Sequence, residues 1–176
     1  MRQLSIHRPK AKVRNPERRL RSLRRWAESA KGHYPKDVGE HYRNWKIPVL
    51  DRLVQPPIAK KEWQAQALES LLLVASNFIE AKPKSEIGES WIAVLITYPF
   101  MWHSEVTAFY ERKYYERFLY KADLITGKGL CAEMGVKIPY GMIEIGCHVS
   151  WEGEDENGNP YKYTEERWTI GESIDL

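Results

Sequence analysis

The stretch from Trp91 to Tyr120 constrains the fold of this chain more than any other stretch does. Its first part, Trp91 to Tyr98, is a nearly unbroken apolar run of strand length. Such a run is typical of a strand that is covered on both faces in the middle of a sheet. Pro99 ends it, because proline cannot donate a hydrogen bond to a sheet ladder.

A second strand and a helix are predicted in the same stretch. From Ser104 the polarity alternates, which predicts a half-buried strand. Helical spacing then replaces the alternation, and the apolar residues on one side of this helix are Tyr114, Tyr115, Phe118 and Leu119. With the segments described below, this pattern predicts an α+β fold with an antiparallel or mixed sheet of about four strands and helices packed on it.

The length of 176 residues fits one domain with its own core. Residues 1–14 lack periodicity and are rich in Lys and Arg, so we expect a flexible basic arm there and a single α+β domain over residues 15–176. Pro16 marks the start of a helix, and the longest predicted helix runs from Ala59 to Lys82, where Pro83 follows. The segment from His33 to Val54 predicts one short helix and a loop.

A hairpin is predicted near the C-terminus. Met142 to Trp151 and Tyr161 to Ile170 read as its two strands, and Asn157-Gly158 supplies turn chemistry. The alternation predicts that every second residue of the first strand points inward, and those residues are Ile143, Ile145, Cys147, Val149 and Trp151.

Charge is distributed unevenly along a chain whose net charge is +3. The first 31 residues hold eleven Lys and Arg against two Glu, whereas residues 141–176 hold two basic and nine acidic residues. No apolar run reaches the roughly 20 residues that a membrane helix needs. We therefore expect a cytoplasmic protein with no membrane partner.

The basic N-terminal helix is one candidate site, because clustered cations bind phosphate groups. Its arginines are Arg18, Arg19, Arg21, Arg24 and Arg25. The helix has no Asn or Gln of the kind that reads base edges. Nucleic acid is therefore a possible partner, but a solvated face or a face that docks on the acidic C-terminal part explains the same pattern.

The candidates for catalysis are few. His103 and Glu105 lie two residues apart, which places them on one face of a strand, where a base and an orienting acid are able to act together. A turn with ordinary polar residues is the commoner explanation of such a cluster. Cys131 and Cys147 have no metal-ligand spacing and are expected to be buried, so no metal and no cofactor is predicted.

Aromatic residues are the most unusual feature, with seven Trp and ten Tyr. Trp and Tyr are enriched in protein-binding hot spots, although core packing is their commoner use. Trp45 and Trp102 are the aromatic candidates for partner binding, and Glu154, Asp155 and Glu156 are the acidic ones.

Several segments together resemble a family of bacterial domains of unknown function. These segments are LRSLRRW, HYRNWKIPV, WHSEVTAFYERKYYERF, EIG and the late WTIGE, and they span Leu20 to Glu172. The resemblance implies a bacterial source, and it transfers no catalytic residue.

Three functions remain open at this point. The first is a non-enzymatic protein-binding module, such as an immunity or antitoxin-like protein that neutralises a toxin; small size, missing catalytic motifs, aromatic content and the acidic hairpin favour it. The second is a nucleic-acid-associated protein that binds phosphate through the basic helix. The third is a small enzyme that uses His103 and Glu105.

Overall fold

The structure is a computed structural model that describes residues 16–34, 42–46, 60–84, 90–98, 104–119 and 123–174, with the backbone alone for 42–46. The helices in these residues are α1 (Pro16–Ser29), α2 (Lys61–Glu80), α3 (Arg112–Leu119) and α4 (Leu130–Met134). The strands are β1 (Tyr42–Lys46), β2 (Trp91–Tyr98), β3 (Glu105–Phe109), β4 (Met142–Glu154) and β5 (Pro160–Glu172). The basic arm predicted for residues 1–14 lies outside the described part of the chain.

The five strands form one antiparallel sheet in the order β1-β3-β2-β5-β4. The α+β class is confirmed, and β2 lies in the middle of the sheet as its apolar run predicts. The prediction of a short helix and a loop for His33 to Val54 is wrong at Tyr42–Lys46, which pairs with β3. Strand β1 flanks β3 on the side opposite β2. β3 is therefore more buried than its alternating sequence predicts, and Thr107 is buried.

Helices α1 and α2 cover one face of the sheet. The apolar stripe of α1, with Leu20, Leu23 and Ala27, is buried in the same core cluster as Leu71 and Phe78 of α2. The Asn77 side chain donates a hydrogen bond of 2.9 Å to the Ala27 carbonyl, which satisfies a buried polar group and joins the two helices. None of the helices in the described residues is long and apolar enough to cross a bilayer.

Helix α3 covers part of the other face of the sheet. Tyr115 is fully buried, its ring packs 5.5 Å from that of Phe109, and its hydroxyl donates to the Glu172 carbonyl. The Glu172 carboxylate accepts hydrogen bonds from Lys82 Nζ at 2.7 Å and from the Ile92 N–H at 2.7 Å. The inner end of the C-terminal hairpin is therefore fixed to both layers.

Candidate binding surface

The C-terminal hairpin extends beyond the sheet that holds its inner end. β5 pairs with β2 only as far as Glu166, and the outer edge of β4 receives its last bond from the segment around Leu124 at His148. Beyond these points β4 and β5 continue to pair with each other up to Glu154 and Pro160. In the part of the chain that the structure describes, residues 149–165 thus form a two-stranded projection, which we call the ribbon.

One face of the ribbon is aromatic. Trp151 lies directly opposite Tyr163, and Gly153 lies directly opposite Tyr161, so the three rings share one face. They are 50%, 36% and 51% exposed for Trp151, Tyr163 and Tyr161, respectively. The Tyr161 ring lies across Gly153, where an added Cβ would be 2.9 Å from the tyrosine hydroxyl. We call Trp151, Tyr161 and Tyr163 the aromatic face.

An ion pair between a half-exposed arginine and a buried glutamate supports the base of the aromatic face. Arg167 Nε donates to Glu165 Oε1 at 2.7 Å, and the Glu165 side chain is only 4% exposed. The Arg167 guanidinium lies 5.4 Å from the centre of the Trp151 ring, in a cation–π contact. This contact favours one orientation of the Trp151 ring, half of whose surface is open to solvent.

The opposite face of the ribbon is polar. The hydroxyls of Ser150 and Thr164 are hydrogen-bonded across the strands at 3.0 Å, and Lys162 pairs with Glu152 at 3.1 Å. Cross-strand pairs of this kind stabilise a two-stranded ribbon, which by itself is marginal in water. The two faces thus differ in chemistry while they share one backbone ladder.

Asp155 organises the turn at the tip of the ribbon. Its carboxylate accepts hydrogen bonds from the N–H groups of Asn157 at 2.8 Å and Asn159 at 2.9 Å, and from the Asn159 side chain at 3.1 Å. The hydrogen bonds from the Asn159 backbone and side chain, followed by the one from Asn157, lower the pKa of Asp155. Gly158 has a φ of 77°, which glycine adopts without strain.

The ribbon is acidic. Residues 149–165 hold five acidic side chains and one basic side chain, Lys162. The predicted partner residues Glu154, Asp155 and Glu156 lie at its exposed tip, although the Asp155 carboxylate is already used by the turn. Such a surface repels phosphate and attracts cationic groups.

Two of the predicted partner residues remain untested by the structure, which points to other aromatic residues instead. Trp102 and the side chain of Trp45 lie outside the described residues. Sequence reasoning missed Tyr161 and Tyr163 and wrongly placed Trp151 inward. The available signal was that the two strands of this hairpin are longer than any other strand that the sequence predicts, so that one end must project beyond its neighbours.

The arginines of the basic helix are brought to the surface. Arg18, Arg21 and Arg25 are exposed on α1, away from its buried leucines, and Arg19 is half-buried. Arg24 is also exposed and pairs with Glu28 at 3.1 Å. The cluster of arginines that the sequence predicts therefore forms a basic face on the side of α1 that is turned away from the core.

Only one of the two candidates for catalysis lies among the described residues. Glu105 is half-buried in β3, and His103 lies outside the described part of the chain. Burial, followed by the charge of Glu144, raises the pKa of Cys131 to about 12, so this thiol stays protonated and is a poor nucleophile. No group of three or more His, Cys, Asp or Glu residues suited to a metal ion occurs among the described residues.

Comparison with known proteins identifies a family that this chain matches. Residues 24–172 match the model of a family described as "Protein of unknown function (DUF3916)". No curated protein and no solved structure matches the chain.

Proposed function

The chain belongs to the DUF3916 family, and for this member we propose a non-enzymatic, protein-binding function that is carried by the aromatic face of the ribbon. The partner is a protein with a basic surface. In its finer form the proposal is that of a cytoplasmic immunity or antitoxin-like protein, which covers the active surface of a toxin. The observation that carries the proposal is the set of three exposed aromatic rings on an acidic projection.

The aromatic face has the composition of a binding hot spot. Trp and Tyr dominate hot spots because they bury a large area and lose little conformational entropy. Trp151 and Tyr163 are held by the cross-strand register, and Trp151 also by Arg167. A partner therefore meets rings that are already ordered, which lowers the entropic cost of binding.

The charge of the ribbon supports a basic partner. The ribbon that carries the rings has five acidic side chains and one basic side chain, and its long-range attraction of a basic surface increases the rate of association. The contact between Arg167 and Trp151 shows that this ring accepts a guanidinium group. Arginine side chains of a partner have the same chemistry available at Tyr161 and Tyr163.

The state of the cysteines supports a reducing compartment. Cys131 and Cys147 are both buried and free of disulfides. Free thiols and a fold without disulfides are typical of the cytoplasm.

The proposal is tested by capture of partners from the native host. The tagged full-length chain is compared with a Trp151→Ala/Tyr163→Ala double variant. One control, Ser150→Ala/Thr164→Ala, alters the opposite face of the ribbon, and a second, Tyr140→Ala, removes an exposed tyrosine elsewhere. Circular dichroism confirms that each variant is folded.

We expect one basic protein in stoichiometric amount, insensitive to nuclease, that is lost with the double variant and kept with both controls. Equal capture by the double variant overturns the proposal. Recovery of nucleic acid that disappears at high salt favours instead the alternative function, phosphate binding by the exposed arginines of α1. Charge reversal at Arg18 and Arg21 then abolishes capture.

A further inference from the structure

An open pocket of about 530 Å³ lies at the outer edge of β4, away from the ribbon. Its apolar lining comes from Leu124, Ile125, Ile138 and Trp168, and Glu144 is among its polar residues. The volume lies within the roughly 300–1,000 Å³ of small-molecule sites. Apolar walls with one charged group are the usual composition of such sites.

Glu144 brings an uncompensated charge to this pocket. Its carboxylate accepts a hydrogen bond of 2.8 Å from the Cys131 N–H and a second one from the Cys131 thiol. Because that thiol stays protonated, it supplies a hydrogen bond but no charge. Within the described residues no Lys or Arg pairs with Glu144, and the nearby Lys128 is exposed.

The backbone around the pocket fixes the position of the carboxylate. A Cβ added at Gly129 would overlap with the Glu144 carboxylate in its present position, so glycine lets the backbone lie against the carboxylate there. The Cys131 N–H holds the carboxylate from α4. The half-buried carboxylate is thus oriented by hydrogen bonds and has no cationic partner among the described residues, which leaves it available to a cationic ligand.

We propose that this pocket binds a small organic cation, a protonated amine attached to an apolar body. The ammonium group forms a charge-assisted hydrogen bond with Glu144, and the apolar body packs on Leu124, Ile138 and Trp168. A free metal ion is a poor ligand here, because Glu144 is the only carboxylate among the described residues that line the pocket. This site is independent of the aromatic face.

The test is a titration of the full chain with 2-phenylethylamine, followed by NMR. The matched probe of opposite charge is 3-phenylpropanoate. We expect saturable shifts of the Gly127 and Gly129 amides and of the Trp168 indole N–H with the amine, and none with the carboxylate. Glu144→Gln keeps an acceptor for the Cys131 N–H but removes the charge, and it is expected to weaken amine binding about tenfold or more.

Two further variants keep the test decisive. Leu124 is half-exposed, and Leu124→Trp places a larger side chain in the pocket. This variant is expected to block amine binding, and it tests the pocket independently if Glu144→Gln does not fold. Glu152→Gln, on the ribbon, is the matched charge control and is expected to bind normally. The proposal is overturned if the amine gives no saturable shifts, if the carboxylate binds as well, or if Glu144→Gln binds as wild type.

Discussion

The inner and outer halves of the C-terminal hairpin share one ladder but have different surroundings. In the inner half β5 pairs with β2 as well as with β4, and Ile170 and Trp168 are buried against the helices. In the outer half, the ribbon, Trp151 lies in the same kind of ladder and is half exposed. Alternation thus defines the two faces of a strand, whereas neighbouring elements decide whether a face becomes core or surface.

Each half has an ion pair. The largest difference between the halves is expected in how much these ion pairs contribute to the free energy of unfolding. Lys82 and Glu172 are 7% and 17% exposed, whereas Lys162 and Glu152 are 63% and 73% exposed. Glu172→Gln leaves the Lys82 ammonium buried without its partner, and we expect it to lower the free energy of unfolding by about 3 kcal/mol. Glu152→Gln is expected to change that free energy by less than about 0.5 kcal/mol, because water screens the pair. Urea unfolding followed by circular dichroism measures both, and effects of equal size would contradict the distinction between the halves.

Each half also has a glycine under an aromatic ring. At Gly146 an added Cβ would be 2.6 Å from the buried Trp168 ring, and at Gly153 it would be 2.9 Å from the exposed Tyr161 hydroxyl. Trp168 is buried in the core cluster and must shift against its neighbours, so we expect Gly146→Ala to destabilise the protein by about 1–3 kcal/mol. Tyr161 can turn into solvent, so Gly153→Ala is expected to stay within about 0.5 kcal/mol of wild type.

The same unfolding experiment compares the two alanine variants. A shift of the transition midpoint with Gly146→Ala alone supports the account. If Gly153→Ala costs as much as Gly146→Ala, the ribbon is as tightly packed as the inner half, and its rings are not free for a partner.

The smallest expected effect concerns pH at the tip of the ribbon. The pKa of Asp155 is lowered in the folded chain, so its turn hydrogen bonds are fully present above the ordinary carboxyl pKa and are lost as pH falls through the lowered value. NMR titration of the Asn157 and Asn159 amides is expected to report that lowered pKa. Asp155→Asn removes the titration, and a pKa at or above the ordinary carboxyl value would contradict the turn geometry.

The sequence predicts the elements that have strong local signals. β2 is found with its bounds because its apolar run ends at Pro99, and α2 is found within two residues because its stripe ends near Pro83. The burial of Cys131 and Cys147 is also confirmed. In these segments local spacing and tertiary surroundings favour the same structure.

The rest depends on pairing between distant residues. β1 is missed because its short sequence, YRNWK, has no strand alternation of apolar residues, and its pairing with β3 is what defines it. Trp151 is placed wrongly because its exposure depends on β2 ending at Tyr98. The contact of Glu144 with Cys131, 13 residues away, is likewise absent from any local pattern.

The aromatic face of the ribbon, rather than its polar face, is expected to meet the partner. The most direct measurement places a photo-crosslinking amino acid at Tyr161, on the aromatic face, or at Lys162, the next residue on the opposite face. The account predicts that the same basic protein is crosslinked in the native host at position 161 and not at position 162. Equal crosslinking at both positions, or crosslinking at 162 alone, would contradict it.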